Sequence, residues 1–135
     1  MNARLARLVH GGVVPGARQL VTAELAGTVT ATLEAHGWRT WTLDTSTCVD
    51  KAAFLRAAAL AFALPDWFGH NWDALVDSLR DLRAAPPAAV VWTGAASLAA
   101  RDHDTFATAV EILHEAAGVV VLLVTPTPLP GVAAL

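Results

Sequence analysis

The chain has 135 residues, 55% of them hydrophobic and 16% charged, with 9 basic and 12 acidic side chains giving a net charge of −3. That profile fits one compact domain with a sizeable core and excludes a disordered polyelectrolyte. Lysine and arginine are not in excess, so the chain lacks the electrostatic footprint of a nucleic-acid binder, and its mild acidity suits a basic partner instead.

Residues 1–16 carry no regular pattern and are punctuated by Gly11-Gly12 and Pro15-Gly16. No apolar run of leader length follows the two early arginines, and the longest strongly apolar run, Val119 to Val124, is too short to cross a bilayer. One cysteine, Cys48, allows no intrachain disulfide. A soluble protein of a reducing cytoplasm is the expectation.

From Arg18 to His36, Val21, Leu25, Val29 and Leu33 recur every four residues and predict a helix ended by Gly37. Trp38 to Asp44 alternates aromatic or β-branched residues with polar ones and reads as a strand. A turn follows, and Asp50 is placed to cap a helix from Lys51 to Phe62, because its carboxylate can accept an orphan backbone N–H. Leu64 to His70 breaks the pattern with a proline and a glycine. Asn71 then caps a helix from Trp72 to Leu82. Ala89 to Trp92 reads as a short apolar strand and Ala96 to Ala100 as a helical turn. Asp104 to Ala117 reads as a helix ended by Gly118. Val119 to Val124 is a continuous apolar strand of the kind buried on both faces. The tail from Thr125, with its prolines, is expected to fray. Strands alternating with helices predict an α/β domain with a small, three-stranded, mostly parallel sheet flanked by helices.

Leu64 to Leu79, LPDWFGHNWDALVDSL, carries the functional information. Two aromatics precede a glycine turn, and the capped helix that follows bears Asp73 and Asp77 one turn apart, on one face. Such a pair is ordinarily a solvated face, and like charges at this spacing repel by a few tenths of a kcal/mol. An acidic face edged by an aromatic also suits a basic, phosphate-binding groove on another protein.

The segment resembles the signature of barstar-type ribonuclease inhibitors. Its Leu-Pro, paired aromatics, Gly, Asn, Asp-Ala-Leu, Asp and Leu are all in place. The resemblance extends more loosely from Trp38 to Val124, through Lys51 to Leu55, Val90 to Trp92 and His114 to Ala116. It implies a barstar-like domain over residues 37–125, preceded by a partly helical extension over 1–36 and followed by a Pro-rich flexible tail over 126–135. It implies a monomeric inhibitor with no chemistry of its own, which binds a small basic ribonuclease and blocks its active site. The partner-binding residues it carries over are Trp67, Gly69, Asn71, Asp73, Val76, Asp77 and Glu115, with Asp77 standing in for substrate phosphate. No catalytic residue, cofactor, metal, membrane or direct nucleic-acid contact is implied.

The chain departs from the family pattern where Val76 replaces an aromatic, Leu82 replaces another and His70 replaces an acid. Arg80 and Asp81 replace small residues, and Arg80 lies one turn from Asp77, within reach of pairing with it. These departures also fit a barstar-fold interaction module aimed at a different protein. A metal site from His70, Asp73, Asp77, His103 or His114 has no motif behind it, and Cys48 reads as a half-buried thiol rather than a nucleophile.

Overall fold

A computed structural model describes residues 2–11, 15–65, 69–82, 87–116 and 118–135. In chain order the elements are α1 (Ala3–His10), β1 (Gly16–Val21), α2 (Ala26–Ala35), β2 (Arg39–Asp44), α3 (Lys51–Ala61), α4 (Trp72–Arg80), β3 (Ala88–Thr93), α5 (Ala95–Arg101), α6 (His103–Ala116) and β4 (Val120–Thr125). The strands form one sheet in the order β1-β4-β3-β2, with every neighbouring pair parallel. No described helix is long and apolar enough to cross a membrane.

Helices cover both faces of the sheet. On one, Leu43, Val90, Trp92, Val121 and Leu123 meet Phe54 and Leu55 of α3, Leu75 and Leu79 of α4, Leu98 of α5, and Phe106 and Leu113 of α6. On the other, Leu20, Ala89, Val91, Val120, Leu122 and Val124 meet Leu5 and Leu8 of α1 and Val29 and Leu33 of α2. The alternation of strand side chains explains the division: consecutive residues of a strand point to opposite faces, so the apolar runs of β3 and β4 feed both cores. Trp92 is fully buried, its ring centroid 5.7 Å from that of Phe54 and 5.8 Å from that of Phe106. Its indole N–H donates to the Thr45 hydroxyl at 2.8 Å, which satisfies the polar atom and pins the β2–α3 turn to the core. That turn passes so close to Gly94 that a Cβ there would lie 2.5 Å from the Ser46 nitrogen, and the φ of +73° at this position also calls for glycine.

The sheet has four strands, where the sequence pattern predicts three. The extra strand is β1, which occupies the start of the segment read as one long helix from Arg18. Val21 and Leu25 keep a four-residue spacing with Val29 and Leu33, but only Ala26–Ala35 is helical. The strand was disguised because Gln19 is one of its inward residues. Its amide is buried and donates to the carbonyls of Leu129 and Val132 at 3.0 and 2.7 Å, and its oxygen accepts the Leu129 N–H at 2.7 Å. A polar residue in the middle of the run removes the apolar alternation by which a strand is recognised.

Two further differences follow from long-range contact. The N-terminal residues, without a regular pattern in the sequence, form α1, where Asn2 caps the Arg4 N–H at 2.8 Å and Leu5 and Leu8 are buried. The last residues, expected to fray, are tied to β1. The Gln19 N–H donates to the Ala133 carbonyl at 2.8 Å and the Leu135 N–H to the Gln19 carbonyl at 3.0 Å, while Leu129 is buried.

Candidate functional site

The candidate site is built on α4 and its N-terminal cap. Asn71 holds extended backbone geometry, its side-chain oxygen accepts the Ala74 N–H at 2.8 Å, and its amide donates to the Gly69 carbonyl at 3.1 Å. One side chain thus satisfies an orphan helix donor and fixes the entering loop. Gly69 leaves room for this: a Cβ on it would come within 3.0 Å of the Asn71 amide nitrogen. In this loop the positive φ, +47°, falls on His70, a region in which histidine is one of the better-tolerated residues.

Beneath the helix, Leu75 and Leu79 are fully buried and α4 packs against α6. Trp72 is half-buried, its ring 5.7 Å from that of Phe54, with the Lys51 ammonium 5.4 Å from its centroid. These contacts clamp α4 to α3 and fix its rotation. With that rotation set, Asp73 and Asp77 face solvent, and Val76 lies half-buried between the apolar and outward faces. Asp73 sits in the first turn, where the helix dipole favours an anion.

Arg80 reaches back to Asp77, Nη1 to Oδ1 3.8 Å, with side chains 68% and 78% exposed respectively. A pair so open to water is worth only a few tenths of a kcal/mol, so it modulates the acidic face without holding the fold. Glu115 is exposed in the last turn of α6. Its neighbour His114 turns the other way, and its Nδ1 accepts the Ala17 N–H at 2.9 Å.

Gly69, Asn71, Asp73, Val76 and Asp77 are therefore brought together on one turn and helix. Glu115 comes from a separate helix that packs against α4. Trp67 lies outside the described residues. Arg80 was legible from its spacing to Asp77. The Lys51–Trp72 contact was not, because it joins two helices whose packing no local pattern specifies. Among the described residues no three His, Cys, Asp or Glu side chains converge into a cluster fit to hold a metal ion. Cys48 is buried rather than half-buried. Burial pushes its thiol above the ordinary range, and the Asp44 carboxylate adds to the effect.

The family model of barstar (barnase inhibitor) matches residues 38–121, well over half of the chain. The chain belongs to the barstar family. The match takes in the capped α4, the strands β2 and β3 and the start of β4, whereas α1, β1 and α2 precede the matched barstar region. No curated protein matches the sequence. Among solved structures, a chain in a structure of Drosophila ORC bound to DNA is similar at a TM-score of 0.59 and 18% identity. The similarity covers 87% of this chain and 34% of that one, so this barstar-family chain spans about a third of its length. At that identity the likeness is one of fold.

Proposed function

We propose that this barstar-family protein inhibits a small basic ribonuclease by laying the outward face of α4 over the enzyme's active site. One observation carries the reading. In a family described as barnase inhibitors, the helix that follows the signature loop presents Asp73 and Asp77 to solvent while Leu75 and Leu79 anchor it in the core. Carboxylates held on a rigid, capped helix can replace substrate phosphate against the arginines and lysines of such an enzyme. The overall charge of −3 favours encounter with a basic partner. Asp77 is the acid assigned to the phosphate pocket, and Trp67, Gly69, Asn71, Asp73, Val76 and Glu115 are the further residues assigned to partner contact.

The test is titration of the protein into a barnase-type ribonuclease while RNA cleavage is followed. The expected result is stoichiometric inhibition that weakens with salt. Asp77→Ala should weaken inhibition by about 2 kcal/mol or more, the range of an interface hot spot. Its melting temperature should stay unchanged, because the side chain is 78% exposed. An Asp77→Ala protein that inhibits as well as the parent would overturn the role given to Asp77.

A second reading, a barstar-fold module with another protein as target, is favoured by the Arg80–Asp77 pair and by Val76. The two readings part on Arg80→Gln. If the acidic face is meant for a ribonuclease, removing the competing cation should tighten inhibition and raise the association rate. If that variant and the parent both fail to inhibit, the face serves a different partner.

A further inference from the structure

The opposite side of the sheet holds a basic pocket of about 320 Å³, lined by Arg4, Arg7 and Leu8 of α1, Arg18 and Val120 of the paired strands β1 and β4, and Leu135. Three of the protein's 9 basic residues thus meet in one concavity of an acidic protein. Among the described residues no ion pair joins Arg4, Arg7 or Arg18 to a carboxylate. No described lining residue carries an acidic side chain, so the three arginines set the sign of the pocket, and a concave wall of low dielectric focuses their field on whatever anion enters.

The placement has identifiable causes. Arg4, Arg7 and Leu8 stand at i, i+3 and i+4 of α1 and so share one face of the helix. Arg18 alternates with the inward Ala17 and Gln19, so it points to the side of the sheet that α1 covers, along with Leu20. Its Nη1 lies 3.2 Å from the position a Cβ on Gly16 would take, where the φ of +125° and the His114 ring, 2.7 Å from that position, call for glycine. Gly16 is in register with Val120, which floors the pocket.

We infer that this pocket is a binding site for a phosphate group, held by Arg4, Arg7 and Arg18, with Leu8, Val120 and Leu135 as an apolar seat for an organic moiety. Guanidinium groups present planar, forked donors that match the oxygens of a phosphate better than any other side chain does. The volume suits a small molecule rather than a macromolecular surface. The site is separate from α4, whose core contacts lie on the other face of the sheet. Its occupancy is therefore independent of ribonuclease inhibition.

The experiment is calorimetric titration of the full chain at low salt with inorganic phosphate, with adenosine 5′-monophosphate and with a short single-stranded oligoribonucleotide. Saturable binding of phosphate or the monophosphate is expected, weakened by salt and weakened about tenfold or more in Arg18→Gln and in the Arg4→Gln, Arg7→Gln double variant. Arg56→Gln, which removes an exposed charge from α3 on the other face, should bind as the parent does. Tighter binding of the monophosphate than of inorganic phosphate identifies an esterified ligand, and equal binding identifies the free anion. Absence of binding by both overturns the site. So does binding that Arg56→Gln reduces as much as Arg18→Gln does, or binding confined to the oligoribonucleotide. Unchanged circular dichroism of the variants keeps misfolding from imitating a positive result.

Discussion

Asp77 and Cys48 show how little a residue's type says until its surroundings are known. Asp77 is an exposed carboxylate whose ion pair with Arg80 is open to water. Its worth is realised only when a partner desolvates it, which is why Asp77→Ala is expected to act on inhibition and not on stability. Cys48 is the reverse case: it has no assigned role and is buried among apolar side chains. Its thiol is held above the ordinary range by burial first and by Asp44 second. Native protein should therefore react with a thiol reagent far more slowly at pH 8 than protein unfolded in urea. The linkage has a definite sign. A raised pKa in the folded state favours folding fully below the ordinary thiol value, about 8.5, and that contribution fades as pH rises above it, because the unfolded chain ionises first. Denaturation curves taken through this range should show stability falling for the parent and a shallower fall for Cys48→Ala.

At the scale of the element, α4 depends on its cap. Asn71 both closes the first turn and holds Gly69, so its replacement by alanine removes two hydrogen bonds. Asn71→Ala should cost about 1 kcal/mol in urea denaturation. It should also weaken inhibition through displacement of the loop, and an undiminished stability would show that the cap does not hold α4. The edge strand β1 makes a complementary point. An uncovered strand edge offers unpaired donors and acceptors to other chains. Here the final residues lie alongside β1, and the Gln19 side chain bonds the same segment at Leu129 and Val132. One polar residue thus ties the C-terminal segment across the middle of this edge.

Over the whole molecule, the segment ahead of the matched family region supplies three of the ten described elements and the cover of one face of the sheet. Leu5, Leu8, Leu20, Val29 and Leu33 cover Ala89, Val91, Val120 and Leu122 on one face of the sheet, and β1 pairs with β4 along its length. A chain beginning at residue 37 would expose that face and the edge of β4. It should fail to give a cooperative thermal transition, and a stable, cooperatively folding truncation would overturn this account. Loss of binding after such a deletion therefore reports on folding, and the two functional readings are better separated by Arg80→Gln.

The sequence by itself determined the α/β class, the elements from β2 to β4, the capped helix with its acid pair, and the family. Each depends on local order: an apolar period, a cap, a run of defined residues in one short segment. Only the tertiary structure decided the fourth strand, the docking of the C-terminal residues, the contact of Lys51 with Trp72 and the meeting of three arginines in one pocket. These bring together residues far apart in the chain. Gln19 is buried because Leu129 and Val132 satisfy its amide, and Arg4 and Arg18 share a cavity because α1 and β1 contribute to the same core. No periodicity records such pairings, since the free energy that selects them comes from burial and hydrogen bonding between segments and not from the preference of either one.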